Sequence, residues 1–317
     1  MTIDLNMKGY VPGMTANIET DAFRQLPLDP AQGYPLTNPL PDEMRKFLWP
    51  EGQNCFALLD GAAFPNLPEM LETSGLPHGC LFQGEAAEDL GEVAPWLVTL
   101  ADSNALTRSL FTDGDAPWQL WGSGPLLLLQ SPHSLRQIRA HLRKFTRLKG
   151  TDGRHYFFRF WEAAYLEAFL LEMSPVEAAK LFDAELFSGL LVGQPAGLRR
   201  FRWKTRPARS MSKSLLMTPD MRTLFGYVAQ HEFDKTLHAE HCSQGDMDAG
   251  LMAACLETAR RNGFYARTVL RDYIGWCAQE NANIMEQSWA RAELQQTQKY
   301  RETLRFDRLR LTAEERA

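Results

Sequence analysis

Residues 151–170 read TDGRHYFFRFWEAAYLEAFL, and the alternation inside HYFFRFW bears directly on the fold. As a strand it sends Tyr156, Phe158 and Phe160 to one side and Phe157, Arg159 and Trp161 to the other. A sheet with one wet face would carry polar residues at every second position. Apolar residues on both faces therefore predict a strand covered by a layer on each side. Arg159 then needs a partner or a wet edge, because burying an unpaired charge is costly. It reads as a catalytic arginine, a structural ion pair or a recognition residue. Asp60, at the end of NCFALLDG, is a candidate partner.

Working outward, short apolar runs between Gly, Pro and Asp mark further strands: NCFALLD, GCLFQ, WLVTL, WQLW and LLLLQ, with LRRFRW as a weaker one. Helical stretches lie between them. The fold class is α/β, or α+β: an N-terminal lobe with a mixed sheet flanked by helices, plus an all-helical C-terminal lobe. Three hydroxyl–proline pairs, Ser131-Pro132, Ser174-Pro175 and Thr218-Pro219, read as helix starts, and Glu177 completes a capping box with Ser174. Residues 1–50 hold seven of the eighteen prolines and read as an extended arm. Residues 51–215 form the α/β lobe. Residues 216–317 read as four helices, broken at Gly245 and at Asn262-Gly263.

Charge is sorted along the chain. Residues 199–213, RRFRWKTRPARSMSK, carry seven basic residues and residues 136–149, RQIRAHLRKFTRLK, carry six, with no acid in either run. Those thirteen of the 34 basic residues set aside, 21 remain against 39 acidic ones. Such segregation favours oriented docking to an acidic partner or a polyanion. In the helix after Ser131, Leu135, Ile138, Leu142 and Phe145 form an apolar stripe that docks on the sheet. Arg136, Arg139, Arg143 and Arg147 then form an outward stripe.

Motifs for chemistry are sparse. His231, His238, His241 and Cys242 share a helical face, but no HExxH is present, and ordinary surface histidines are the simpler reading. Gly122-Ser123-Gly124 fits neither a phosphate loop nor a GxSxG elbow and reads as a turn before Pro125. The five cysteines are scattered, without a CxxC, as buried thiols of a reducing cytosol. The N-terminus lacks the apolar core of a signal peptide, and Leu126–Leu129, the longest aliphatic run, is far too short to span a membrane. These features predict a cytoplasmic protein with no membrane partner. No cofactor or metal set is visible, and no catalytic residue is assigned.

Four segments in order carry a resemblance: FALLDGA (56–62), CLFQGEAAEDLGEVAPWLVTL (80–100), WG followed by LLLLQSPHSLRQIRAHLRKF (121–145), and DGRHYFFRFWEAAYLEAFL (152–170). Over residues 54–187 the chain resembles the adaptor chaperones of the bacterial type VI secretion system. The resemblance implies an escort that binds a secreted effector toxin and delivers it to the VgrG spike by recognition, without catalysis or cofactor. The family's junction reads Phe-Arg-Phe-Tyr-Asp-Pro-Arg. Here Phe158-Arg159-Phe160 matches, Trp161 replaces the tyrosine, and Glu162-Ala163-Ala164 replaces the rest. In that setting Arg159 fixes a polar contact near the strand end, with partner contact as its second role.

The candidate partner-binding residues are the stripe Arg136, Arg139, Arg143 and Arg147; Arg159 and Trp161; Phe201, Arg202 and Trp203 in the second basic run; and Phe264, Tyr265 and Trp276, with Trp289, on otherwise polar helices. The core of the helical lobe is the competing reading for these last four. Two other functions stay open: a nucleic-acid-binding module using residues 199–213, where cations and rings interleave, and an enzyme with a site at the strand ends. The adaptor reading expects protein partners and no nucleic acid.

Overall fold

The computed structural model describes residues 17–207 and 214–316, and the chain divides into two units between Phe225 and Gly226. The first unit begins with β1 (Ile18–Phe23), α1 (Pro30–Gly33), α2 (Asp42–Leu48), β2 (Asn54–Asp60) and α3 (Leu67–Ser74). It continues through β3 (His78–Cys80), α4 (Glu85–Asp89), β4 (Pro95–Thr99), α5 (Ala105–Ser109), β5 (Leu126–Ser131) and α6 (Leu135–Leu142). Then come β6 (Arg147–Gly150), β7 (His155–Phe157), α7 (Ala163–Glu172), α8 (Pro175–Leu181), β8 (Gly189–Gln194), β9 (Gly197–Trp203) and β10 (Leu216–Met217).

Seven of these strands form one sheet in the order β1-β9-β8-β5-β2-β4-β3, antiparallel throughout. A second sheet, β10-β6-β7, supplies the only parallel pairing among the described strands, between β10 and β6. The α/β class holds, with parallel pairing limited, among the described residues, to the small sheet and an isolated bridge between Leu28 and Thr112.

The enclosed strands are β2 and β5, whose apolar runs leave no wet face. Cys55, Ala57 and Leu59 of β2 join Leu128 of β5 and Val98 of β4 in a core with Met44 and Leu48 of α2, Leu67 and Leu71 of α3, and Leu106 of α5. On the opposite face Leu127, Leu129 and Leu190 close around a small void with Leu142 of α6, Leu166 of α7 and Leu181 of α8. Burial of these side chains contributes about 1.5–3 kcal/mol each relative to exposure, and supplies most of what holds the layers together.

Several expectations change. HYFFRF is not a central strand: only residues 155–157 pair, at the border of the small sheet, and Phe158-Arg159-Phe160 leave it as a loop into α7. The doubly covered position belongs to β2 and β5. WQLW lies in a turn region, and Gly122, at φ 79°, opens the turn before Pro125. Ser131 closes β5, and Ser134 caps α6 through a capping box with Gln137. Ser174 and Glu177 cap α8 as expected, and the Thr218 hydroxyl accepts from the Met221 amide at 3.2 Å.

Residues 17–50 are no arm. β1 pairs with β9 along its whole length, and Leu40, Met44 and Leu48 are core residues. Residues 1–16 of the expected arm, and 208–213 of the second basic run, lie outside the described residues. Arg108 fastens this N-terminal region. Its buried guanidinium donates to the carbonyls of Gly33 at 2.8 Å, Pro39 at 2.8 Å and Asn38 at 3.2 Å, and also to Gln32.

α9 (Pro219–His241) carries the chain into the second unit, where α10 (Ala249–Arg261), α11 (Arg267–Glu280), α12 (Ser288–Thr297) and α13 (Glu302–Glu314) follow. The last expected helix is split, with the chain turning between Thr297 and Glu302. Leu237, Cys255, Leu270, Tyr273, Ile274, Leu294 and Leu309 build this unit's own core.

Candidate partner-binding surface

The arginine stripe does not run along one helix. α6 stops at Leu142, a 3-10 turn carries Arg143–Phe145, and Arg147 opens β6. Leu142 and Phe145 point into the core, so the cations are forced outward around the turn. Arg136 is exposed on α6. Arg139 lies over the glycine of edge strand β3, about 3.0 Å from where a Cβ on Gly79 would stand, and its Nε donates to the Cys80 carbonyl at 2.7 Å. That carbonyl belongs to a residue whose backbone groups face away from β4, so Arg139 blocks strand addition at this edge.

Arg143 is half-buried, and its Nε has no hydrogen-bond partner. Burial, and then the charge of Arg139, hold its guanidinium below the ordinary arginine value. Both arginines act on the Cys80 thiol, which burial nonetheless pushes up. Among the described residues none of Arg136, Arg139, Arg143 or Arg147 forms an ion pair with a carboxylate.

Arg159 is different. Its Nη2 donates to Asp60 Oδ2 at 2.5 Å, and its Nε pairs with Glu162. Asp60 ends β2 and also accepts from the Ala62 amide at 3.1 Å. The guanidinium lies 5.8 Å from the Trp161 ring. Arg159 therefore ties the start of α7 to the end of β2, the structural ion pair among its three readings. Trp161 is buried, with its Nε1 unpartnered.

The described part of the second basic run is engaged within the fold. Arg199 pairs with Glu167 at 3.1 Å, Arg200 with Asp21 at 2.5 Å, Arg202 with Glu19 at 3.3 Å, and Arg206 with Glu185 at 3.3 Å. Phe201 is buried, and Trp203 stacks on Phe182 and donates its Nε1 to the Phe182 carbonyl at 2.9 Å. Neither ring is free to stack on a base, because alternation in β9 turns both towards the layer over the sheet.

In the second unit Phe264 is a core residue beneath Arg305, and Trp276 is half-buried against Trp289 and Phe306. Tyr265 alone of that set is open, 64% exposed. A groove of about 640 Å³ runs beside it, floored by Met252, Ala253 and Leu256 and rimmed by Asp234, Glu257 and Arg260. Arg260 is locked to Asp234 by two hydrogen bonds at 2.5 and 3.0 Å. No group of three or more His, Cys, Asp or Glu side chains among the described residues is placed to hold a metal ion. Likewise no helix among them is long and apolar enough to cross a membrane.

Sequence reasoning missed a cationic and apolar surface on the small sheet. Phe157, taken as one covered ring among several, is 69% exposed on β7, directly opposite Arg147 of β6. DG at residues 152–153 marks the turn into HYF, and the missed part was that residues 147–150 before it form a strand rather than the end of a helix, which makes the turn a hairpin and HYF a short outer strand.

Residues 55–180 match the family model described as Domain of unknown function (DUF4123). The match runs from β2 into α8 and takes in the Asp60–Arg159 pair, the arginines around α6 and the β6–β7 hairpin. No curated protein and no solved structure matches the chain.

Proposed function

We propose that the chain is an adaptor chaperone of type VI secretion, which binds an effector toxin and presents it to the VgrG spike by recognition alone. The family match over residues 55–180 supports this reading together with the resemblance of the four segments quoted above. The structural observation that carries it is the set of arginines around α6, which have no carboxylate partner among the described residues. A cation left unpaired by its own fold is available to another polypeptide. The ion pairs along residues 199–206 weigh against the nucleic-acid reading, since Arg199, Arg200, Arg202 and Arg206 each already have a carboxylate partner within the fold.

Co-expression with candidate effector toxins and VgrG spikes of the same genome tests the proposal. A complex that survives gel filtration at micromolar concentration is the expected result, with an interface of at least about 1,000 Å². Separate elution of all three chains rejects it, and so does turnover of a substrate that a single side-chain change abolishes.

A further inference from the structure

The outward face of the small sheet has a composition that its folding does not require. Register places Phe157 opposite Arg147, and both His155 and Leu216 beside Lys149. Directly opposed residues share a face, and so do residues two apart in a strand. All five side chains therefore lie on one surface, and all five are exposed. The alternate residues Leu148 and Met217 point the other way and are buried, and Tyr156 is half-buried under the Arg222 guanidinium. The sheet is thus anchored from its inner face. Phe157, 69% exposed, and Leu216, 44% exposed, are left in water, where a fold with no use for them would carry polar residues.

We propose that this face binds an acidic segment of a partner polypeptide that also carries apolar side chains. The apolar residues would cover Phe157 and Leu216, and the carboxylates would meet Arg147 and Lys149. Neither cation has an ion pair among the described residues, so the face presents charge as well as apolar area. Four residues of β6 span about 13 Å and three strands about 10 Å, enough for a short extended segment or one helical turn and a half.

A polypeptide fits better than a nucleic acid. Single strands are held by successive rings under successive bases, and this face offers one phenyl ring and one imidazole on a single short strand rather than a track of rings. Away from its two basic runs the chain carries 21 basic against 39 acidic residues, which repels an extended polyanion more than a short acidic stretch. The inference rests on the adaptor reading only in taking the partner to be a protein, and it names the chemistry of the segment recognised.

The test is fluorescence anisotropy with a labelled peptide alternating Glu with Leu and Phe, its counterpart with Lys for Glu, and oligo(dT) of equal length. The acidic peptide should bind the full chain, and Phe157→Ser and Lys149→Glu should each weaken it about tenfold. Lys46→Glu, the same charge change on α2, should leave the affinity alone. All three sites are exposed, so unchanged circular dichroism and thermal midpoints confirm that the variants fold. The inference is overturned by no binding at about 1 mM, by equal binding of the lysine peptide, or by indifference to Phe157→Ser. Tighter binding of oligo(dT) that Lys149→Glu abolishes also overturns it, and assigns the face to nucleic acid. An effector complex that forms equally well with Phe157→Ser leaves the adaptor reading standing and removes this surface from it.

Discussion

Arg159 and Asp60, 99 positions apart in sequence, meet at 2.5 Å where β2 ends and α7 is about to begin. The two ends of the pair sit in different surroundings. The Asp60 side chain is 3% exposed, whereas that of Arg159 is 46% exposed. Removing Arg159 leaves a buried carboxylate short of a partner, while removing Asp60 leaves a cation that water can solvate.

That asymmetry gives the first prediction. Arg159→Ala strands the buried Asp60 carboxylate and should lower unfolding free energy by about 2–3 kcal/mol, a figure kept below that of a fully buried pair because the guanidinium is half in water. Asp60→Ala frees the Ala62 amide but leaves its cation to water, and should cost about 1–2 kcal/mol. Urea titration of the two variants and their double measures the coupling. A coupling energy below about 0.3 kcal/mol would mean that the contact contributes nothing to stability.

Arg108 is buried in the first unit. Four carbonyls of residues 32–39 accept from it, and burial draws its guanidinium below the ordinary arginine value. Arg108→Lys keeps the charge but replaces a planar fork with a point donor, so it cannot reach all four. Both Arg108→Lys and Arg108→Ala should destabilise by about 2–4 kcal/mol. Limited proteolysis should then cut first within residues 30–41. Cleavage elsewhere, with that segment still protected, would show that Arg108 does not hold it.

Arg139 and Arg143 stand about one turn apart with no carboxylate partner among the described residues, so replacing both by Glu reverses the charge of the surface while keeping one like-charge pair there. The double variant should fold, and should lose about tenfold or more in affinity for the effector partner proposed above, read by calorimetry on the co-expressed complex. An unchanged affinity would assign these side chains to solvent and to guarding the β3 edge.

How much of this was legible follows from how each element is enclosed. β2 and β5 announce themselves because both their faces are covered, so their apolar runs are unbroken. β1 is hidden because Glu19 and Asp21 find their partners on β9, in Arg202 and Arg200, and an edge strand held by cross-strand ion pairs looks like a polar loop. HYFFRFW misleads for the opposite reason. Phe158, Phe160 and Trp161 are buried from a loop that leads into α7 rather than by two layers on a strand, Phe157 is exposed, and composition alone does not separate these cases. Asp60 was identifiable as the partner of Arg159 because a carboxylate closing a buried strand needs a cation. Phe264 takes the core alternative of its two readings, from the turn between α10 and α11, where Arg305 lies over its ring. The face of the small sheet stayed invisible because it is assembled from residues 147–157 and 216, and only pairing brings them together.

Glu172 closes α7 with a carboxylate oxygen that is buried and unpartnered, at the helix end where negative charge is least welcome. Burial raises its pKa above the ordinary glutamate value. For an acid this sign means that the charged form is penalised in the folded chain. The cost is absent below the unfolded pKa, near 4.3, and is fully present above the higher folded pKa. Glu172→Gln should therefore be more stable than the parent chain at pH 7, and the difference should close as pH falls towards about 4. Thermal midpoints measured at matched ionic strength between those two values read the effect. A Gln variant that is less stable at pH 7 would mean that the ionised carboxylate has a partner that compensates its burial.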